Sequence, residues 1–154
     1  MENKELIEKL KNQSTWKLLG LGVVTFGVYF AHYIKKQTDI INEHLHIDLQ
    51  ISKGFIISIM ILSYASVALF IAYLIVDYGH PIEKVSHITD KVWAIMLVVW
   101  GFKARNRVNS HCFLISNRKN WFHGLWTFFF TPLYFNYKVN QLNASLTASL
   151  EDAD

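Results

Sequence analysis

The chain has little of what builds a soluble or secreted domain. Its single cysteine, Cys112, excludes an intramolecular disulfide and gives no sign of a secreted disulfide scaffold. Two prolines and seven glycines occur in 154 residues without forming a linker, so residues 1–154 are predicted to form one domain. Charged residues reach only 18%, below the roughly one quarter that is usual in soluble domains.

Apolar residues take the place of the missing charged residues. They form 52% of the chain, and aromatic residues form 15%, a balance that indicates lipid as the solvent. The net charge is +3, but the basic residues lie near the ends of apolar segments rather than among aromatic residues on one face, so no nucleic acid partner is predicted. The N-terminus lacks the pattern of a cleaved signal peptide, and the first apolar segment is expected to direct membrane insertion.

Four apolar segments predict an all-α, polytopic membrane protein. They cover residues 16–34, 55–77, 82–102 and 121–138. The second is the clearest, because no charge interrupts Phe55 to Val76 and about 20 apolar residues suffice to cross a bilayer.

The third and fourth segments carry polar or helix-breaking residues. Glu83, Lys84, Asp90 and Lys91 predict that the first half of segment three faces protein rather than lipid, with a helix lying in the interface as the alternative. Pro132 removes a backbone donor from segment four, which predicts a kinked span or a re-entrant element.

Three polar segments flank these four. Residues 2–12 predict an amphipathic helix, either on the membrane surface or as a solvated tail. Residues 37–53 predict an amphipathic connecting helix, and residues 140–154 a polar, frayed tail. Either Ser14 or Thr15 can cap the first apolar helix.

Small residues within the first two spans are candidate helix-packing positions, because they allow close approach or interhelical hydrogen bonds. They are Gly20, Gly22, Gly27, Ser58, Ser63 and Ser66.

The segment 103–119 holds the largest charge asymmetry, with five basic residues and no acidic one. Its candidate lipid-headgroup residues are Lys103, Arg105, Arg107, Arg118 and Lys119. Anionic headgroups attract such residues, and retention of topology by positive charge is the alternative explanation.

The sequence offers few candidate residues for a metal or haem site, an ion pathway or catalysis. Seven histidines allow a haem or metal site as a minor alternative, but no Cys-x-x-Cys or His-x-x-x-His spacing is present, so no cofactor is predicted and metal binding is left open. Asp90 and Lys91 are the nearest approach to an ionisable group at membrane depth, which keeps a channel or transporter subunit as the main alternative. The chain has no phosphate loop or nucleophile elbow, and no enzyme activity is predicted.

An internal echo links the two ends of the chain. A shift of 105 positions aligns Trp16 with Trp121 and Tyr29 with Tyr134. The echo indicates either a duplicated hairpin or the general likeness of two aromatic-edged segments.

The run Thr25-Phe26-Gly27-Val28-Tyr29, followed by two lysines and a polar stretch ending in Asn42, resembles a small bacterial membrane family catalogued as domain of unknown function 4234. The hallmark of that family is a Thr-x-Gly-Ile-Tyr run late in an apolar segment, and its motif residues fall here on Thr25, Gly27, Tyr29 and Asn42. A second copy, Thr131 to Tyr134, lacks the glycine. The resemblance implies a multi-pass protein of the bacterial inner membrane and no known activity.

These observations predict an accessory or scaffold subunit that acts through lipid and helix contacts, with a membrane-protein partner or a second copy of itself. The alternatives are an oligomeric channel or transporter subunit and, less favoured, a haem or metal protein.

Overall fold

The computed structural model describes residues 2–11, 13–77, 80–112 and 120–151. Within these ranges every regular element is a helix, which confirms the all-α prediction. The helices are α1 (Glu2–Leu10), α2 (Thr15–Val24), α3 (Val28–Glu43), α4 (Lys53–Tyr73), α5 (Pro81–His111), α6 (Gly124–Phe130) and α7 (Leu133–Glu151), with one 3₁₀ turn at Ile47–Leu49.

Two of these helices are long and apolar enough to cross a membrane. They are α4 and α5, and they match the second and third predicted segments, although α5 continues well past residue 102. Pro81 occupies the first turn of α5, where its missing N–H costs nothing, and the His80 ring accepts a hydrogen bond from the Ile82 N–H at 3.2 Å. The two helices pack against each other, so the second and third apolar segments form one helical pair.

The predicted single helix over 16–34 is wrong. The segment divides into α2, capped by Ser14, and α3, with a break at Thr25 to Gly27. The Thr25 hydroxyl donates to the Leu21 carbonyl at 2.7 Å and accepts from the Tyr29 N–H at 2.9 Å, while Gly27 adopts a left-handed φ of 88°. The Thr25 hydroxyl therefore takes the place of a backbone acceptor for the Tyr29 N–H, and the neighbouring N–H groups keep backbone partners across the break.

The segment 121–138 is divided in the same manner. Helix α6 ends at Phe130 and α7 begins at Leu133, so the predicted interruption at Pro132 is confirmed and α6, with seven residues, is too short to cross a membrane. Helix α7 begins 105 positions after α3, the offset of the sequence echo. The pair α2 and α3 and the pair α6 and α7 each consist of a short apolar helix, a break at a threonine and a longer helix.

Three further predictions need correction. Residues 37–53 do not form one connecting helix, because α3 ends at Glu43 and only the 3₁₀ turn precedes α4. The apolar face of α1 does not lie on a membrane surface, since α1 packs on α3 and α7. The expected tail from residue 140 is helical through Glu151, and its residues Leu142 and Asn143 are buried.

The core lies where α3, α5 and α7 meet. Trp100 of α5 is fully buried, with its ring centroid 5.3 Å from that of Phe135 and 6.5 Å from that of Tyr33. Its indole N–H donates to the Thr38 hydroxyl at 2.8 Å. One side chain thus joins three helices that are far apart in the sequence.

Candidate lipid-binding site

An uncovered apolar surface runs along α4 and α5. Only 17% of the most apolar window of the first candidate span is buried, and only 22% of that of the second. The core helix of a soluble protein would bury most of such a window. We call this surface the outer apolar face; its exposed side chains include Ile57, Ile61, Ile71 and Leu74 of α4 and Val85, Ile88, Val92, Ile95 and Val99 of α5.

A groove of about 690 Å³ opens beside this face, between α3 and α4. We call it the α3–α4 groove. Its α4 wall is apolar and consists of Ile56, Ile57, Met60, Ile61 and Tyr64, whereas α3 contributes Lys35, Thr38, Asp39 and Asn42. One wall therefore suits a hydrocarbon chain and the other a polar group.

Asn42 closes one end of the groove. Its amide accepts a hydrogen bond from the Ile51 N–H at 2.8 Å and donates to the Ile51 carbonyl at 2.9 Å. Ile51 is 2% exposed, so these backbone groups have little access to water. Asn42, a residue of the predicted motif, thus fixes the path of the chain from α3 into α4, and the other motif residues, Thr25, Gly27 and Tyr29, lie at or next to the preceding break.

We expect Asn42→Ala to lower the free energy of unfolding by about 1–3 kcal/mol, because it leaves both Ile51 backbone groups buried without a partner. Denaturant unfolding in detergent measures the change. Asn106→Ala is the matched control: its side chain is exposed and accepts only from the neighbouring Arg105 at 3.0 Å. Equal losses in both variants would contradict the role given to Asn42.

Basic residues collect where α4 begins. Lys53 lines the groove, and Lys103 of α5 places its Nζ 5.8 Å from the centroid of the Phe55 ring. Arg107 donates to the Leu49 carbonyl at 2.8 Å and to the Lys103 carbonyl at 3.1 Å. Two predicted lipid-headgroup residues, Lys103 and Arg107, thus lie at the groove end of the helical pair.

The remaining predicted lipid-headgroup residues lie elsewhere. Arg105 lies over the Phe102 ring, with 5.2 Å from Cζ to the centroid, and next to Gly124 of α6. Arg118 and Lys119 lie outside the described residues. The structure therefore divides the basic segment between at least two surfaces.

Two features make the mouth of the groove attractive to an anion. Lys35 forms an ion pair with Asp39 at 2.9 Å, whereas no described carboxylate pairs with Lys53. Ser52, the residue before α4, makes no side-chain cap, so the first N–H groups of a 21-residue helix stay open to a ligand.

The predicted helix-packing glycines have three different environments. Gly22 lies against the Phe30 ring and Gly27 against the Trp93 ring, so that a Cβ at either position would collide with an aromatic side chain. Gly20 has no atom within 4 Å of a Cβ position and faces open space. Gly101, which sequence reasoning did not single out, packs against Thr131 and Thr127; a glycine inside the third apolar segment was the available signal.

The three serines of α4 also differ. Ser58 is exposed and bonds its own helix at the Gly54 carbonyl, and Ser63 is buried and bonds the Met60 carbonyl. Ser66 donates to a carboxylate oxygen of Asp90 across the α4–α5 contact. Only Ser66 among them makes an interhelical hydrogen bond within the described residues.

The histidines give no metal-binding constellation. His44 and His111 bring their ring centroids to 6.3 Å, and His32 bonds the Tyr64 hydroxyl at 2.7 Å. Among the described residues, no three side chains of His, Cys, Asp or Glu come close enough together to hold a metal ion. Burial also raises the pKa of Cys112 to about 11, which disfavours the thiolate that binds metals.

Comparisons with known proteins identify no relative. The chain matches no protein-family model, no curated protein and no solved structure. The resemblance to the family of unknown function stays a prediction.

Proposed function

We propose that this protein is an integral accessory or scaffold subunit of the bacterial inner membrane, without catalysis of its own, that binds anionic lipid in the α3–α4 groove. The observation that carries the proposal is the pairing of an apolar groove wall on α4 with basic residues at its mouth. A phospholipid has the same order of groups, with an acyl chain for Ile57 and Met60 and a phosphate for Lys53.

The same surfaces support a bilayer arrangement for the chain. Helices α4 and α5 cross the membrane, and their outer apolar face contacts lipid or a partner helix. The short helices α2 and α6 enter the bilayer as re-entrant elements, which the exposure of Trp16 and Val24 on α2 and of Phe128 and Phe129 on α6 supports. The arrangement replaces the four full spans of the sequence interpretation with two spans and two re-entrant helices.

The lipid part of the proposal is tested with the double variant Lys53→Gln/Lys103→Gln. Each basic residue near an anionic surface contributes about 1 kcal/mol, so we expect roughly 30-fold weaker retention of phosphatidylglycerol. Native mass spectrometry of detergent-purified protein titrated with phosphatidylglycerol or phosphatidylcholine measures this retention. The control Lys84→Gln/Lys91→Gln removes the same charge from exposed positions at the other end of α5. Equal retention by the two double variants would exclude the groove as the site.

An oligomeric channel is the second candidate, favoured by the Ser66–Asp90 hydrogen bond between the two candidate spans. An ionisable side chain in such a position commonly marks an ion pathway. The mass and absorbance spectrum of the gently extracted protein separate the classes. Partner polypeptides at fixed stoichiometry support the accessory subunit, a colourless homo-oligomer favours the channel, and a Soret band would indicate haem.

A further inference from the structure

A second cavity lies between α2 and α3, away from the α3–α4 groove. Its volume is about 270 Å³, enough for a phosphate group and a small substituent. We call it the α2–α3 pocket. It is lined by Gln13, Lys17, Tyr29, His32, Tyr33 and Lys36.

The pocket lining is rich in hydrogen-bond donors. Lys17 and Lys36 supply two positive charges, and no aspartate or glutamate is among the described residues that line the cavity. The other polar groups are an amide, an imidazole and two phenols, all of which can donate hydrogen bonds. An anion is the ligand that this set of residues favours.

Two of these donors are buried without a partner in the described part of the chain. The Tyr29 hydroxyl donates to Gln13 Oε1 at 2.8 Å, which fixes the amide and leaves Gln13 Nε2 unpartnered. Tyr33 is 3% exposed, and its hydroxyl likewise has no partner. Buried polar groups are nearly always hydrogen-bonded, so two unpartnered donors in residues of one pocket call for a ligand.

We propose that the α2–α3 pocket binds a phosphate group, held by Lys17 and Lys36 and by hydrogen bonds from Gln13 Nε2 and the Tyr33 hydroxyl. The phosphate is that of a lipid headgroup or of a soluble phosphate compound. The pocket goes beyond the proposed function, since its residues are not those of the α3–α4 groove and neither site depends on the other.

The test uses the full-length protein in a detergent that lacks phosphate. The probes are inorganic phosphate and dihexanoyl phosphatidic acid, with dihexanoyl phosphatidylcholine as the lipid control, and binding is followed by the shift in melting temperature and by calorimetry. Lys17→Gln is expected to weaken phosphate binding by roughly fivefold, the effect of about one favourable charge contact. Lys91→Gln, at an exposed position of α5, should leave binding unchanged.

Tyr33→Phe distinguishes a ligand-binding hydroxyl from a structural one. Because the hydroxyl has no partner, the variant should melt at the same or a higher temperature than the parent without phosphate, yet gain less from added phosphate. Tyr137→Phe, at a position 54% exposed, is the matched control.

The outcomes separate the two sources of phosphate. Saturable binding of inorganic phosphate that is weakened in both variants supports the pocket with a soluble ligand. A response to phosphatidic acid alone, weakened in the same two variants, supports it with a lipid. If neither probe shifts the melting temperature, or if Lys17→Gln and Tyr33→Phe bind as the parent does, the proposal is wrong. The double variant Lys53→Gln/Lys103→Gln should keep the phosphate response that Lys17→Gln and Tyr33→Phe weaken, so failure of this proposal is separable from failure of the groove.

Discussion

Trp100→Ala is expected to lower the free energy of unfolding by about 3–5 kcal/mol. Trp100 is fully buried, and its removal leaves a cavity where α3, α5 and α7 meet. The substitution also leaves the Thr38 hydroxyl, itself 1% exposed, without the indole N–H that bonds it at 2.8 Å. Denaturant unfolding of the detergent-solubilised protein, followed by circular dichroism, measures the loss.

Two further variants divide this effect into its parts. Trp100→Phe keeps most of the ring volume but not the N–H donor, and its cost should stay near 1–3 kcal/mol. Trp16→Ala removes the same side chain from a position that is 82% exposed, so we expect a change within about 0.5 kcal/mol. A loss at Trp16 as large as that at Trp100 would mean that the helices do not meet at Trp100.

Gly27→Ala is expected to destabilise the protein by about 2–5 kcal/mol. The residue has a φ of 88°, a left-handed conformation that costs a non-glycine residue about 1–3 kcal/mol. A Cβ at this position would lie 2.5 Å from Trp93 Cη2, so the ring of Trp93 would have to move, at a further cost of about 1–3 kcal/mol. The melting temperature and the unfolding free energy should both fall.

Gly20→Ala is the matched control, and its expected effect on stability has the opposite sign. Gly20 lies inside α2, and a Cβ there meets no atom within 4 Å. Alanine should therefore stabilise the helix by about 0.5–1 kcal/mol through its lower conformational entropy in the unfolded chain. Stabilisation by both substitutions would contradict the break and favour one continuous helix over α2 and α3, as the sequence first suggested.

The break at Thr25 to Gly27 could not be predicted from the sequence. An uncharged run containing three glycines is compatible with one spanning helix, and hydropathy does not report where the backbone turns. The resemblance to a family motif placed Thr25, Gly27 and Tyr29 together without a physical role. In the structure Thr25 bridges the break, Gly27 supplies the left-handed turn and the Tyr29 hydroxyl reaches Gln13.

The candidate sites were harder to predict from the sequence than the helices. Lys103 and Arg107 were recognised as possible headgroup ligands from charge alone, but Lys53 joins them only because α4 and α5 pack side by side. Among the described residues that line the α2–α3 pocket, Tyr29 belongs to the predicted motif, but no motif spacing connects Lys17 with Tyr33. Their relation depends on α2 folding back against α3.

The sequence by itself determined the helical class, the α4 segment and the interruption at Pro132. Each of these follows from local composition or short-range periodicity, since a helix needs only the residues within it and lipid selects long apolar runs. Tertiary structure alone decided where the exposed and buried faces lie. Asn136 bonds the Gln13 carbonyl 123 residues away, and the apolar face of α1 is covered by α3 and α7 instead of lipid. Such contacts depend on which surfaces are buried together, and no local pattern of residues encodes that pairing.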